Sequence, residues 1–180
     1  MTDFTTDLPE NRPAGADMRA AFVGPKYDYY QCRWSAMASS GRKFSFNWAA
    51  FFLGFVWLAY RKMYFYSVCY VLFMAAEATA EIYFDASDLV SGVITLIYVM
   101  LTGGYANYVY KRRTDAVLAS LTRLDPESAL AAARRQGGTS LPAAIFAGVI
   151  LPLALLAAVV GLYQAYPGLF ESAGDAALAD

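Results

Sequence analysis

The chain has 180 residues, 58% of them hydrophobic and only 16% charged, with a mean hydropathy of +0.37. Soluble domains carry about 45–50% apolar and about 25% charged residues, so an ordinary water-soluble domain fits poorly. The net charge of −1 gives no reason to expect a nucleic-acid partner, and the absence of histidine removes the commonest general base and a common zinc ligand.

Residues 1–21 open with an acidic, proline-containing run that has no basic stretch leading into an apolar one. It is not the pattern of a cleavable signal peptide, and a disordered tail is expected there. A helix follows over about residues 25–40, with Pro25 suited to its first turn and Gly41 to the position after its last. Tyr27, Tyr30, Trp34 and Met37 recur at three- and four-residue spacings on one face. That aromatic stripe can dock on the rest of the protein or lie among lipid headgroups.

Phe44 to Tyr60 is apolar nearly all round and flanked by Arg42-Lys43 and Arg61-Lys62. At about 17 residues it is at the lower limit for crossing a roughly 30 Å hydrocarbon core. A basic pair at each end favours keeping both ends on the cytoplasmic side, so a re-entrant or interfacial helix is expected, with Gly54 as a bend and a short full span as the alternative. Residues 63–84 and 89–110 are long enough to cross, joined by an acidic turn at Asp85 and Asp88. The interval 114–136 reads as two short cytoplasmic helices, one capped by Thr114 or Asp115 and ending near Leu124. The other is opened by Asp125-Pro126-Glu127 and stopped at Gly137-Gly138. Residues 142–163 form the third crossing, with a kink expected at Pro152, and 164–180 an acidic tail.

The expected fold class is therefore all-α: an integral membrane helical bundle with about three transmembrane helices, a re-entrant or interfacial helix and short cytoplasmic helices. Every Lys and Arg lies before Phe44, at Arg61-Lys62, or between Lys111 and Arg135. The Asp85/Asp88 turn and the C-terminal tail hold acids and no bases. Three spans with the N-terminus cytoplasmic and the C-terminus outside keep every base inside, as expected in a bacterial inner membrane. Cys32 and Cys69 fall on separate elements, one in an apolar run, and are expected as unpaired thiols.

The stretch from Lys43 to Tyr64 carries a family resemblance. Phe46, Trp48, Ala50, Phe51, Phe52, Gly54, Trp57, Tyr60, Arg61, Lys62, Met63 and Tyr64 match the pattern F-x-W-x-A-F-F-x-G-x-x-W-x-x-Y-R-K-M-Y. That pattern resembles the bacterial membrane-protein family known as domain of unknown function 2628. Phe22-Val23-Gly24 with Tyr29-Tyr30, the segment Gly104 to Tyr110 with Ala106-Asn107, and Gly137 to Ser140 are similar to further pieces of it. The resemblance covers residues 22–140; it implies membrane residence and no particular reaction.

Three groups of residues are candidates for function. Glu77 and Glu81 share a helix face within the first crossing. Carboxylates there are costly unless they face a bundle interior, a water-filled cavity or the outer headgroup zone. Asn107, beside Thr102, Gly103 and Gly104, can hydrogen-bond between helices or, with the two glutamates, form a polar intramembrane site. Arg61, Lys62, Lys111, Arg112 and Arg113 can bind anionic headgroups as well as fix topology. The pairs Ala144/Gly148 and Ala157/Gly161 suit helix association within the chain or between copies.

No nucleophile is paired with a base, and no phosphate-binding glycine loop is present. The expectation is a non-enzymatic scaffold, partner or envelope-associated regulator without cofactors. Its partners are the lipid bilayer and possible homo-oligomer or membrane-protein contacts. An oligomeric transporter or channel component using the embedded acids is the alternative.

Overall fold

The computed structural model describes residues 14–165, and among these every regular element is helical. Expectations for residues before 14 and after 165 lie outside the described residues.

The first helix, α1 (Ala14–Val23), occupies ground where a tail was expected up to residue 21. The run is rich in alanine, and its end carries Phe22 and Val23, both fully buried. Arg19 ties it to the rest by donating to Asp115 at 2.7 Å. Helix α2 (Tyr27–Ser40) ends at Gly41 in the left-handed conformation, as expected, but Pro25 lies in the turn before it rather than inside it. Tyr30, Trp34 and Met37 are buried against the protein, so the aromatic stripe docks inside the molecule.

The segment 44–60 is not one helix. Residues 44–47 are non-helical, and then α3 (Trp48–Leu53) and α4 (Phe55–Tyr60) follow, six residues each. They are broken at Gly54, whose φ of +47° and ψ of −120° suit only glycine without strain. At 1.5 Å per residue each half is about 9 Å long, too short to cross a bilayer.

Helix α5 (Tyr64–Phe84) and α6 (Asp88–Leu121) form an antiparallel pair joined at Asp85. Tyr98 of α6 meets both Tyr70 and Phe73 of α5, with ring centroids 5.6 and 5.3 Å apart. The break expected at Thr114 or Asp115 is absent, and α6 runs on for 34 residues. Thr114 is fully buried and donates its hydroxyl back to the Tyr110 carbonyl, while Asp115 accepts from Lys111 one turn earlier. Both side chains are thus used within the helix and neither caps a new one.

Asp125 does cap α7 (Pro126–Gln136), accepting from the Ser128 N–H at 3.0 Å. Those Ser128 hydrogen bonds hold its carboxyl below the usual range. The last run comprises α8 (Leu141–Ile145), a π-helical turn (Phe146–Ile150) and α9 (Leu151–Ala165). The π turn sits immediately before Pro152. Proline cannot donate to the carbonyl four residues back, and its ring crowds that carbonyl, so the backbone widens by one residue there.

These helices make two regions. Around α1, α2, α3, α4, α7 and the C-terminal half of α6 lies one buried cluster that includes Phe22, Trp34, Trp57, Met63, Tyr110 and Ala133. Beyond it project α5, the first half of α6 and the last run, whose large apolar side chains are mostly exposed. Among the described residues, two helical stretches, Asp88–Leu121 and Pro126–Leu162, are long and apolar enough to cross a membrane.

Candidate functional site

Three polar centres lie where the two regions meet. The first joins residues 44–47 to α6. The N–H groups of Ser45 and Asn47 donate to the carbonyls of Gly104 and Gly103 at 2.9 and 2.8 Å, an extended chain docking on the side of a helix. This requires glycine on α6: a Cβ at Gly103 would lie 2.9 Å from Phe51 Cβ, and one at Gly104 would strike the Phe44 ring. Asn47 Nδ2 donates to Asn107 Oδ1 at 2.9 Å, while Asn107 Nδ2 donates at 3.1 Å to Ser45 O and Oγ. Asn47 Oδ1 accepts from Ala50 N–H and so starts α3, and Trp34 Nε1 donates to the Asn107 carbonyl. Both amides are buried, and each side chain's oxygen and nitrogen find a partner. Asn107 is therefore structural glue between α2, α3 and α6, the packing role that small and polar residues at this place suggest.

The second centre is Arg61. It is only 5% exposed, and its guanidinium donates to the Tyr30 hydroxyl at 3.1 Å. The rings of Tyr30, Tyr110 and Tyr60 lie 4.7, 5.2 and 5.8 Å from its central carbon. No carboxylate among the described residues pairs with it, and its Nε and Nη1 are buried without a hydrogen-bond partner. Aromatic faces take the place of a counter-ion. Burial raises the Tyr30 phenol above its ordinary value, and the neighbouring Arg61 charge opposes that rise. Arg61 is thus removed from the headgroup-facing set in which its sequence position put it.

The third centre is an open basic mouth lined by Lys62, Arg113 and Arg135, with Tyr64, Phe65 and Gln136. Lys62 turns the chain between α4 and α5 with φ of +57°, uncommon for a residue other than glycine. Its Nζ donates to the Arg135 carbonyl at 3.0 Å, which fixes the ammonium at the mouth. Arg113 Nε is buried there without a partner.

Of the five bases proposed from sequence, Lys62 and Arg113 come together. Lys111 is paired with Asp115 at 2.6 Å, and Arg112 is exposed outside the mouth. Arg135 was missed because it is distant in sequence, and only the packing of α7 on α1 and α6 and the Lys62 bond to its carbonyl bring it in. Asn47 was missed as well; a lone amide inside an otherwise apolar run was its signal.

Glu77 and Glu81 sit half-exposed on α5 and join none of these centres. With Tyr70 level with Tyr98 on an antiparallel helix, Asn107 stands level with about residue 61. It is therefore roughly 24 Å along the axis from Glu77 at 1.5 Å per residue. The glutamates and Asn107 do not form one polar site. Cys32 and Cys69 are unpaired, as expected, and both are exposed.

The model of a protein of unknown function, DUF2628, matches residues 11–115. The chain belongs to that family. The DUF2628 match runs from just before α1 to Asp115 in α6, so it takes in the amide clamp, Arg61 with its tyrosines, and two of the three bases of the mouth. Neither a curated protein nor a solved structure matches the chain.

Proposed function

We propose that this DUF2628 chain is a small multi-pass protein of a bacterial inner membrane. It crosses three times, through α5, the first half of α6, and the run from α8 to α9. Its cytoplasmic cap of α1, α2, α3, α4 and α7 serves as a non-enzymatic scaffold for a membrane partner or a second copy. The observation that carries this reading is the division of apolar side chains: one buried cluster in the cap, and large apolar side chains mostly exposed along the three arms and on α3 at Trp48 and Phe52. Leu72, Leu96, Ile97, Leu155 and Leu156 are all more than half exposed, an arrangement that water would penalise and hydrocarbon would not.

Charge supports the orientation. The cap gathers the described bases at one end, and the Asp85/Asp88 turn lies at the other. The two short halves of 44–60 support the re-entrant or interfacial reading of that segment. The lack of histidine supports a role without acid–base chemistry.

Single cysteines at positions 43, 86 and 175, in a background with Cys32 and Cys69 replaced by serine, test the topology. An impermeant maleimide applied to spheroplasts should label 86 and 175 and spare 43. Labelling at 43, or release of the protein by alkaline carbonate, overturns it. Crosslinking in native membranes should recover a consistent partner or homo-oligomer, and a clean monomer would count against the scaffold role.

A further inference from the structure

Lys62, Arg113 and Arg135 share one mouth, and no acidic side chain lines it. The ion pairs of the described residues both fall on Asp115, so these three bases have no carboxylate between them. Three like charges held together are unfavourable until an anion joins them.

A second opening begins where the mouth ends. Tyr64 lines both. From it an apolar cleft of about 340 Å³ runs between α5 and the α8–π segment, past Ser67, Val68, Val71 and Leu72 on one side and Ala143 and Ala147 on the other. Tyr64, Ser67/Val68 and Val71/Leu72 follow at helical spacing, so the cleft tracks one face of α5 for roughly 12 Å.

We propose that mouth and cleft together bind one anionic glycerophospholipid, its phosphate held by Lys62, Arg113 and Arg135 and an acyl chain laid in the cleft along α5. This rests on the membrane reading above. Charge complementarity selects the occupant. A zwitterionic lipid brings its own cation against three bases, whereas an anionic one brings none. A free phosphate would meet the bases but leave the cleft unfilled. Lys62 Nζ on the Arg135 carbonyl and the Ser140 N–H on the Tyr60 carbonyl pin the α7–α8 connection to the end of α4, and α8 packs on α4, so headgroup and chain sites form together.

The test uses the full chain in detergent, with native mass spectrometry after addition of phosphatidylglycerol or phosphatidylcholine of matched chains. Phosphatidylglycerol should be retained preferentially. A basic residue near anionic lipid is worth a factor of about five, so Arg135→Gln should lower retention about fivefold and Lys62→Gln with Arg135→Gln roughly 25-fold. Arg134→Gln, one residue outside the mouth, should change nothing. Ala143→Leu, which fills the cleft, should weaken retention with all three bases intact.

Equal retention of the two lipids, or an Arg135→Gln protein that retains phosphatidylglycerol unchanged, overturns the proposal. Displacement by soluble glycerol phosphate at the lipid's own concentration reassigns the mouth to free phosphate and likewise overturns it. The maleimide assay separates the two readings: an embedded chain without lipid preference loses this site alone, while a chain that is not embedded loses both.

Discussion

Gly137, at the end of α7, and Gly161, inside α9, show how the cap differs from the arms. Gly137 is buried against the backbone of Phe22, whose carbonyl also accepts from the next residue's N–H at 2.6 Å. Gly161 has no atom within 4 Å of where a Cβ would stand. In the cap, helices approach until backbones touch, and the Asn47 and Asn107 amides are both hydrogen-bonded. In the arms, Ala147 and Gly148 still pack near α4, but most of the large apolar side chains beyond them are exposed. The two regions differ in what their apolar side chains meet: largely one another in the cap, and largely the surroundings in the arms.

The sharpest way to break this comparison is to add one methyl group to each region. Gly137→Ala drives a Cβ into a carbonyl that cannot yield without moving α1 off α7. It should cost about 3 kcal/mol, at the upper end of overpacking effects. Gly161→Ala should leave the unfolding midpoint unchanged or raise it, since alanine is favoured over glycine in a helix by up to about 1 kcal/mol. Thermal unfolding of both variants in the same detergent reads the difference, and equal shifts would erase the distinction.

A smaller effect is expected at the amide clamp. Asn107→Leu leaves Asn47 Nδ2 buried without its acceptor and should destabilise by about 2 kcal/mol. Adding Asn47→Leu removes the stranded partner, so the double variant should lose less than the sum of the two singles. Urea titration of the detergent-solubilised protein measures the coupling. Additive losses would mean that the two amides act separately.

The smallest effect is a pH dependence. The Tyr30 phenol titrates higher in the folded protein than its ordinary value of 10.0, so the folded state favours the neutral form. Its contribution is present in full below pH 10 and is lost as the pH rises from there through the raised value. Tyr30→Phe should flatten that alkaline fall, at the expense of the hydrogen bond from Arg61. An identical alkaline profile in both proteins would mean that another group governs it.

Much of the architecture was readable in order along the chain. The stripe Tyr30–Trp34–Met37, the cap at Asp125, the bend at Gly54 and the stop at Gly137 each rest on a local rule: helical spacing, a side-chain acceptor ahead of a first turn, a positive φ, a close approach. Readings failed where local signals were outvoted. Thr114 and Asp115 look like caps, but each found a partner inside α6, and Ala14–Val23 became a helix because Phe22 and Val23 had a core to enter.

By itself, the sequence determined the all-α class, the placement of apolar runs, the confinement of bases to one set of segments, and family membership through the 43–64 motif. These depend on composition, periodicity and neighbours within a turn or two. Only the tertiary structure decided which polar residues meet. Arg61 and Lys62 are adjacent in the chain, yet one is enclosed by Tyr30, Tyr60 and Tyr110 while the other opens the mouth it shares with Arg113 and Arg135. Side chains of neighbouring residues point in different directions at a turn, and residues 73 positions apart can share a hydrogen bond, as Lys62 and Arg135 do. No local pattern encodes that pairing; it arises from how the helices close on one another.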